Sequence, residues 1–261
     1  MRTFSLLATT AFTVLMGCSS ITPKHHQQGH KMPYSDSDFN SIKRQFISQD
    51  IDTIDVLSNT QKHISRIAAL ATQQALPQLE QEIMTALNNG VAPTDIKETL
   101  YITAPFIGFP KTENSLATAY LAFKKAGVEW PVDQQERASD RYEKGLAIQF
   151  PIYGNAIKDA YADYPQPYNE KIPTLLTELL FGDIYSRSGT SLQNRELAVF
   201  IILASLGADR QLASHVRGNL KVGNSKQVLV GALVHCLPII GFPAMFNALD
   251  DVKREEIAAS P

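Results

Sequence analysis

The chain has 261 residues, a formal net charge of −2, and is 44% hydrophobic and 19% charged. It is long and apolar enough to bury a full core, yet not so long that it must split into two domains. No basic patch or run of like charge marks a polyelectrolyte partner, so no nucleic-acid binding is expected.

Arg2 precedes an apolar and small-residue run from Phe4 to Leu15, too short to cross a bilayer comfortably. The run ends in Leu15-Met16-Gly17-Cys18 followed by Ser19-Ser20, which resembles a bacterial lipobox. Residues 1–17 therefore read as a lipoprotein signal peptide. Cys18 reads as the lipidated first residue of the mature chain, anchored in the cell envelope by more than one acyl chain. Ser19 favours the outer membrane, facing the periplasm. Residues 18–45 read as a disordered tether, because Pro23-Lys24-His25-His26-Gln27-Gln28-Gly29-His30 is polar and aperiodic. Its three histidines have no acid or Cys beside them to fix a metal, and no metal site is expected. Cys236 is the one other cysteine, which excludes a disulfide framework.

The body reads as all-α. Leu197, Phe200, Ile201 and Ala204 recur at helical spacing, and Leu212, Val216 and Leu220 continue the pattern on a following helix. Asp209 is expected to cap that helix and Gly223 to stop it. Ser225 should cap another, carrying Val228, Leu229, Ala232 and Leu233, which Pro238 should end. The same series occurs earlier at an offset of 133, the separation of Gly90 and Gly223. Leu70-Ala71 falls on Leu203-Ala204, Leu79 on Leu212, Pro105 on Pro238, and Ile107-Gly108-Phe109-Pro110 on Ile240-Gly241-Phe242-Pro243. Amphipathicity alone aligns leucines but not prolines and a Gly-Phe-Pro turn, so the chain holds a tandem duplication. We place the first repeat at 46–130, connecting helices at 131–190, and the second repeat at 191–258.

Arg195-Glu196-Leu197, Leu206-Gly207, His215-Val216-Arg217-Gly218-Asn219-Leu220, Gly223 and Leu237 to Pro243 resemble the carboxymuconolactone decarboxylase family, which includes the alkylhydroperoxidase D-like proteins. The resemblance implies an all-α fold and a homo-oligomer, a trimer or hexamer. In the peroxidase branch a Glu, a C-x-x-C pair and a His act together. Glu196 and His215 occupy the Glu and His places, nineteen residues apart, but the cysteine places hold Ala208 and Gln211. The dithiol relay of that branch is therefore absent. The decarboxylase branch uses no cysteine, metal or other cofactor. Loss of CO2 from a carboxylated unsaturated lactone leaves a delocalised carbanion that a general acid protonates, a task suited to a His supported by a carboxylate.

Glu196 and His215 are the leading catalytic candidates, expected to lean together across a helical hairpin and to flank a small apolar pocket. His235 is a further catalytic candidate. Arg217 and Asn219 are candidates for holding a substrate carboxylate. Cys236 shares a face with Leu229, Ala232 and Leu233 and reads as a buried structural thiol, with a redox role as its alternative. Glu98 reads as a solvated helix residue. In the first repeat His63 and Glu82 stand at the places of Glu196 and His215, in reversed order. Three functions follow. The first is a decarboxylase-like lyase or proton-transfer enzyme on a small carboxylated substrate. The second is a non-catalytic lipoprotein that binds a small ligand or partner. The third is a thiol peroxidase using Cys236.

Overall fold

The computed structural model describes residues 36–130, 132–137 and 139–255, and among them no strand occurs. The expected signal peptide, Cys18 and the histidine-bearing part of the expected tether lie outside the described residues.

The described chain opens with α1 (Ser37–Gln45), which runs into a π-helical segment, Phe46–Ile51. Residues 37–45, expected as tether, are thus helical. The Phe39 N–H donates to Asp36 Oδ1, and Lys43 and Arg44 sit in the last turn, where cations complement the helix dipole. The sequence reading missed this helix because α1 buries none of its residues. Next come α2 (Asn59–Thr72), with a Ser58–Gln61 capping box, then α3 (Leu76–Asn88) and α4 (Pro93–Tyr101). They are followed by α5 (Ala104–Ile107) and α6 (Phe109–Lys125). After a connection, α7 (Arg141–Tyr153) and α8 (Ala156–Asp159) precede α9 (Tyr168–Leu176), which runs into a second π-helical segment, Thr177–Tyr185. The chain then forms α10 (Leu192–Leu206), α11 (Asp209–Lys221) and α12 (Lys226–Arg254).

The duplication is visible element by element. At the offset of 133, α2 falls on α10 and α3 on α11, each pair starting at equivalent positions; α4 to α6 fall on α12. Within α12 the helix breaks at Gly241, where φ 78 and ψ 164 match φ 84 and ψ 157 at Gly108. That backbone region is open essentially to glycine alone, which is why the Gly-Phe-Pro turn recurs. Gly241, rather than Pro238, ends the helix; Pro238 is tolerated inside it. Asp209 is the first helical residue and Ala208 the cap, one position from expectation. The correspondence also continues upstream, since α1 and its π segment fall on α9 and its π segment. Residues 168–185, read as connecting helices, are thus the second copy of an element whose first copy begins at 37.

The two copies join through α2 and α10, which pack on each other. Every residue of α10 from Arg195 to Ala204 is buried. A helix apolar on all sides is a central one, and small residues on α2 (Ala68, Ala69 and Ala71, all buried) let it approach closely. Around this contact lie two apolar clusters. One is built within the first repeat, including Leu79, Ile83, Leu100 and Phe123; the other is centred on α10 and the helices around it.

One further contact positions the site. α7 and the π segment Thr177–Tyr185 meet backbone to backbone at two glycines. A Cβ on Gly145 would lie 2.4 Å from the Thr177 carbonyl oxygen, and one on Gly182 would lie 2.1 Å from that of Arg141. No side chain fits there, and the close approach fixes where Tyr153 and Tyr185, at the ends of these elements, arrive.

Candidate active site

Gly207, in the left-handed region (φ 65), turns the chain from α10 into α11. The hairpin sets Glu196 against His215, with Oε2 and Nδ1 3.0 Å apart. Glu196 is fully buried and His215 is 9% exposed. The backbones are locked by Asn219, whose buried amide donates to the carbonyl oxygens of Glu196 (2.9 Å) and His215 (2.8 Å). Asn224 in turn donates to Asn219 Oδ1 and to the Gln193 carbonyl. Asn219 was expected to hold substrate; its hydrogen bonds are instead spent on tying α10 to α11, and it is a positioning residue.

Two tyrosines complete the arrangement. Tyr185 Oη donates to Glu196 Oε1 at 2.9 Å, and Tyr153 Oη donates to Oε2 at 2.8 Å. Tyr153 Oη also lies 2.7 Å from His215 Nδ1. Burial first, and the Glu196 carboxylate second, push both phenols well above their usual pKa. They therefore remain protonated donors at any ordinary pH. The Glu196 carboxylate and the Tyr153 oxygen both draw a proton to Nδ1, so Nε2 is the nitrogen left for chemistry. Among the described residues nothing hydrogen-bonds Nε2. The ring is walled by Tyr153, centroids 5.3 Å apart, and by the edge of Phe106 at 6.1 Å. The expected apolar pocket between Glu196 and His215 is thus occupied by the Tyr153 hydroxyl. Room for that hydroxyl comes from Gly218, where a Cβ would lie 2.5 Å from Tyr153 Oη.

Neither tyrosine was a sequence candidate. Tyr153 lies on α7, outside the duplicated elements, and no local motif announces it. Tyr185 lies in the stretch read as connecting helices, where nothing singles it out.

Three other assignments, Arg217, His235 and Glu98, are corrected, and the redox alternative for Cys236 is removed. Arg217 points away from the pair: it is exposed, ion-paired to Glu255 and bonded to Ser214 Oγ. His235 is 2% exposed with both ring nitrogens engaged. Nε2 donates to the Ile54 carbonyl at 2.9 Å, and Nδ1 faces Arg66 Nη2 at 3.3 Å. Burial lowers its pKa, so it is a neutral structural ring and no acid catalyst. Cys236 is fully buried and its thiol is pushed far up by desolvation. No thiolate forms there, which removes the basis of the redox role and of the peroxidase alternative. Glu98, expected in solvent, is 0% exposed and paired with Arg187 and Arg195.

The first repeat holds the reversed pair in a closed form. His63 Nδ1 donates to Glu82 Oε1 at 2.7 Å, and Asn89 Nδ2 faces Nε2 at 3.0 Å. Both nitrogens are used, so this ring has none left for a substrate.

The family profile described as the carboxymuconolactone decarboxylase family matches residues 48–120 and 170–253, one stretch in each repeat. A relative named 4-carboxymuconolactone decarboxylase, from Acinetobacter baylyi (strain ATCC 33305 / BD413 / ADP1), is 25% identical over 109 residues, covering 42% of this chain and 81% of that protein. The chain belongs to the carboxymuconolactone decarboxylase family, as a member with two tandem copies of its all-α unit.

Proposed function

We propose that the second repeat is a cofactor-independent lyase site that removes CO2 from, or moves a proton on, a small carboxylated unsaturated substrate. The observation that carries this reading is the Glu196–Tyr153–His215 contact, which commits Nδ1 inward and leaves Nε2 without a partner among the described residues. In the step we infer, the bond between the carboxylate carbon and its neighbour breaks and CO2 leaves. The electron pair delocalises into a conjugated carbonyl of the substrate. Protonated His215 gives its Nε2 proton to the resulting carbanion and becomes neutral, and water re-protonates it. Glu196 accepts from Nδ1 and so orients the ring; Tyr153 and Tyr185 hold that carboxylate in place.

The relative's name makes 4-carboxymuconolactone the first substrate to try. Run in D2O, the reaction should release one CO2 per turnover and place one deuterium on the product carbon. Saturable binding without CO2 release would overturn the lyase reading. It would favour a non-catalytic binding scaffold, the reading that the slight exposure of His215 supports.

The lipobox supports anchoring at Cys18, which would put the reaction in the cell envelope. Wild-type protein should partition into detergent and Cys18→Ala should not; a lipid-free wild-type chain beginning at residue 18 would refute this. Exposed aromatic rings at Phe109, Phe242 and Phe246 support a homo-oligomer. Light scattering that reports a monomer at micromolar concentration would rule it out.

A further inference from the structure

Three cations and one carboxylate meet beside the contact between the repeats. Glu98 accepts from Arg195 Nη1 and Nη2, both at 3.2 Å, and from Arg187 Nε at 3.1 Å. Lys97, 1% exposed, lies 3.7 Å from Glu98 and donates to the carbonyls of Val132 and Asp133. Among these four side chains one carboxylate faces three cations, an excess that is costly in a buried setting.

Arg187 borders two open spaces: one of about 470 Å³ that it lines with Lys97, and a larger one that Lys97 does not reach. Its guanidinium stacks over the Tyr101 ring, 4.9 Å from the centroid. Among the described residues neither its Nη1 nor Tyr101 Oη makes a hydrogen bond. Both residues line a cavity of about 640 Å³ whose apolar walls include Phe109, Leu116 and Ile184. Three carboxylates also line it. Asp183 is engaged by Arg137 and Arg141, while Glu113 and Glu136 are solvent-exposed. Arg137 and Lys144 line it too, ion-paired to Asp183 and Asp140, and Arg187 is the least exposed of the three cations, where a carboxylate would be best shielded from water. None of Tyr153, Tyr185, Glu196 and His215 lines the cavity, so it is separate from the proposed lyase site.

We propose that this cavity is a second small-molecule site, which takes a short organic carboxylate with an apolar body. The carboxylate would meet Arg187 Nη1 in a charge-assisted hydrogen bond and accept a second from Tyr101 Oη. The hydrocarbon would cover Phe109, Leu116 and Ile184. The size and the mix of apolar walls with few polar groups are those of ordinary ligand pockets.

Calorimetry on the full-length protein tests this with hexanoate and its neutral isostere hexanamide. Hexanoate should bind one per chain and hexanamide at least tenfold more weakly. Arg187→Gln should remove the preference for the acid. Since that change also removes one of the two arginines paired with Glu98, a second variant is needed: Leu116→Trp fills the cavity without touching the ion cluster and should abolish binding. His215→Gln should leave hexanoate binding unchanged, which separates this site from the lyase proposal. The proposal fails if hexanoate does not bind at millimolar concentration, or if the amide binds equally well. It also fails if Leu116→Trp, folded by circular dichroism, binds like wild type, or if folded His215→Gln loses binding.

Discussion

His63 and Glu82 touch at 2.7 Å, at the two backbone places where Glu196 and His215 touch in the second repeat. The duplicated hairpin thus brings an acid and an imidazole together twice, with the two residue types exchanged. What differs is the second ring nitrogen. In the first repeat Asn89 occupies it, and in the second nothing described does. The tyrosines explain the rest of the contrast, because both donate to the Glu196 carboxylate and Tyr153 Oη also faces His215 Nδ1. One copy is closed by Asn89; in the other, Nε2 has no partner among the described residues.

Gly218→Ala should damage the second repeat specifically. Its Cβ would press on Tyr153 Oη at 2.5 Å and on Glu196 Oε2 at 2.9 Å. We expect a loss of about 1–3 kcal/mol by urea denaturation, together with loss of turnover. A variant as stable and as active as wild type would show that Tyr153 does not need its seat.

Glu98→Gln should be among the most damaging single changes in the chain. It leaves Arg195, 2% exposed, and Arg187 without their carboxylate. Removing one partner of a buried ion pair costs about 3–5 kcal/mol, read as a shift in denaturation midpoint. A shift within the range of ordinary surface substitutions would contradict the buried network.

His235 makes stability depend on pH on the acid side. Burial holds its folded pKa below the usual value, whereas the unfolded ring takes up a proton near pH 6.5. Its contribution is therefore fully present above about 6.5 and is lost as pH falls toward the folded pKa. The slope is at most one proton, about 1.4 kcal/mol per pH unit. His235→Gln keeps a donor for the Ile54 carbonyl and should flatten the stability profile below pH 6.5. An unchanged profile would show that His235 titrates normally.

Cys236 should be inert in the native protein. A thiol reagent should label it only on unfolding, and Cys236→Ala should cost about 1 kcal/mol while leaving turnover intact. Rapid native labelling would contradict its burial.

These residues also show how far the sequence could be read. Glu196 and His215 were legible through the family resemblance, whose Glu and His places they occupy, and a helical hairpin explains why a separation of nineteen residues brings them together. Gly108 and Gly241 were legible because one special backbone conformation had to recur with the repeat. Glu98 was not, since its burial depends on Arg187 and Arg195, 89 and 97 residues away. His235 was misjudged for the same reason: its acceptor, the Ile54 carbonyl, lies 181 residues distant. Tyr153 carries no local signal, because its role depends on the glycine crossing of α7 with the π segment, a tertiary contact.

The most direct test compares two histidines that occupy paired places. Turnover of 4-carboxymuconolactone, followed as CO2 release, should be measured for wild type, His215→Gln and His63→Gln. If Nε2 of His215 is the acid, His215→Gln should lose about 10²–10⁴-fold in kcat. His63→Gln should keep kcat and lose only stability. Equal rates for wild type and His215→Gln, or equal losses from the two variants with both folded, would contradict the assignment.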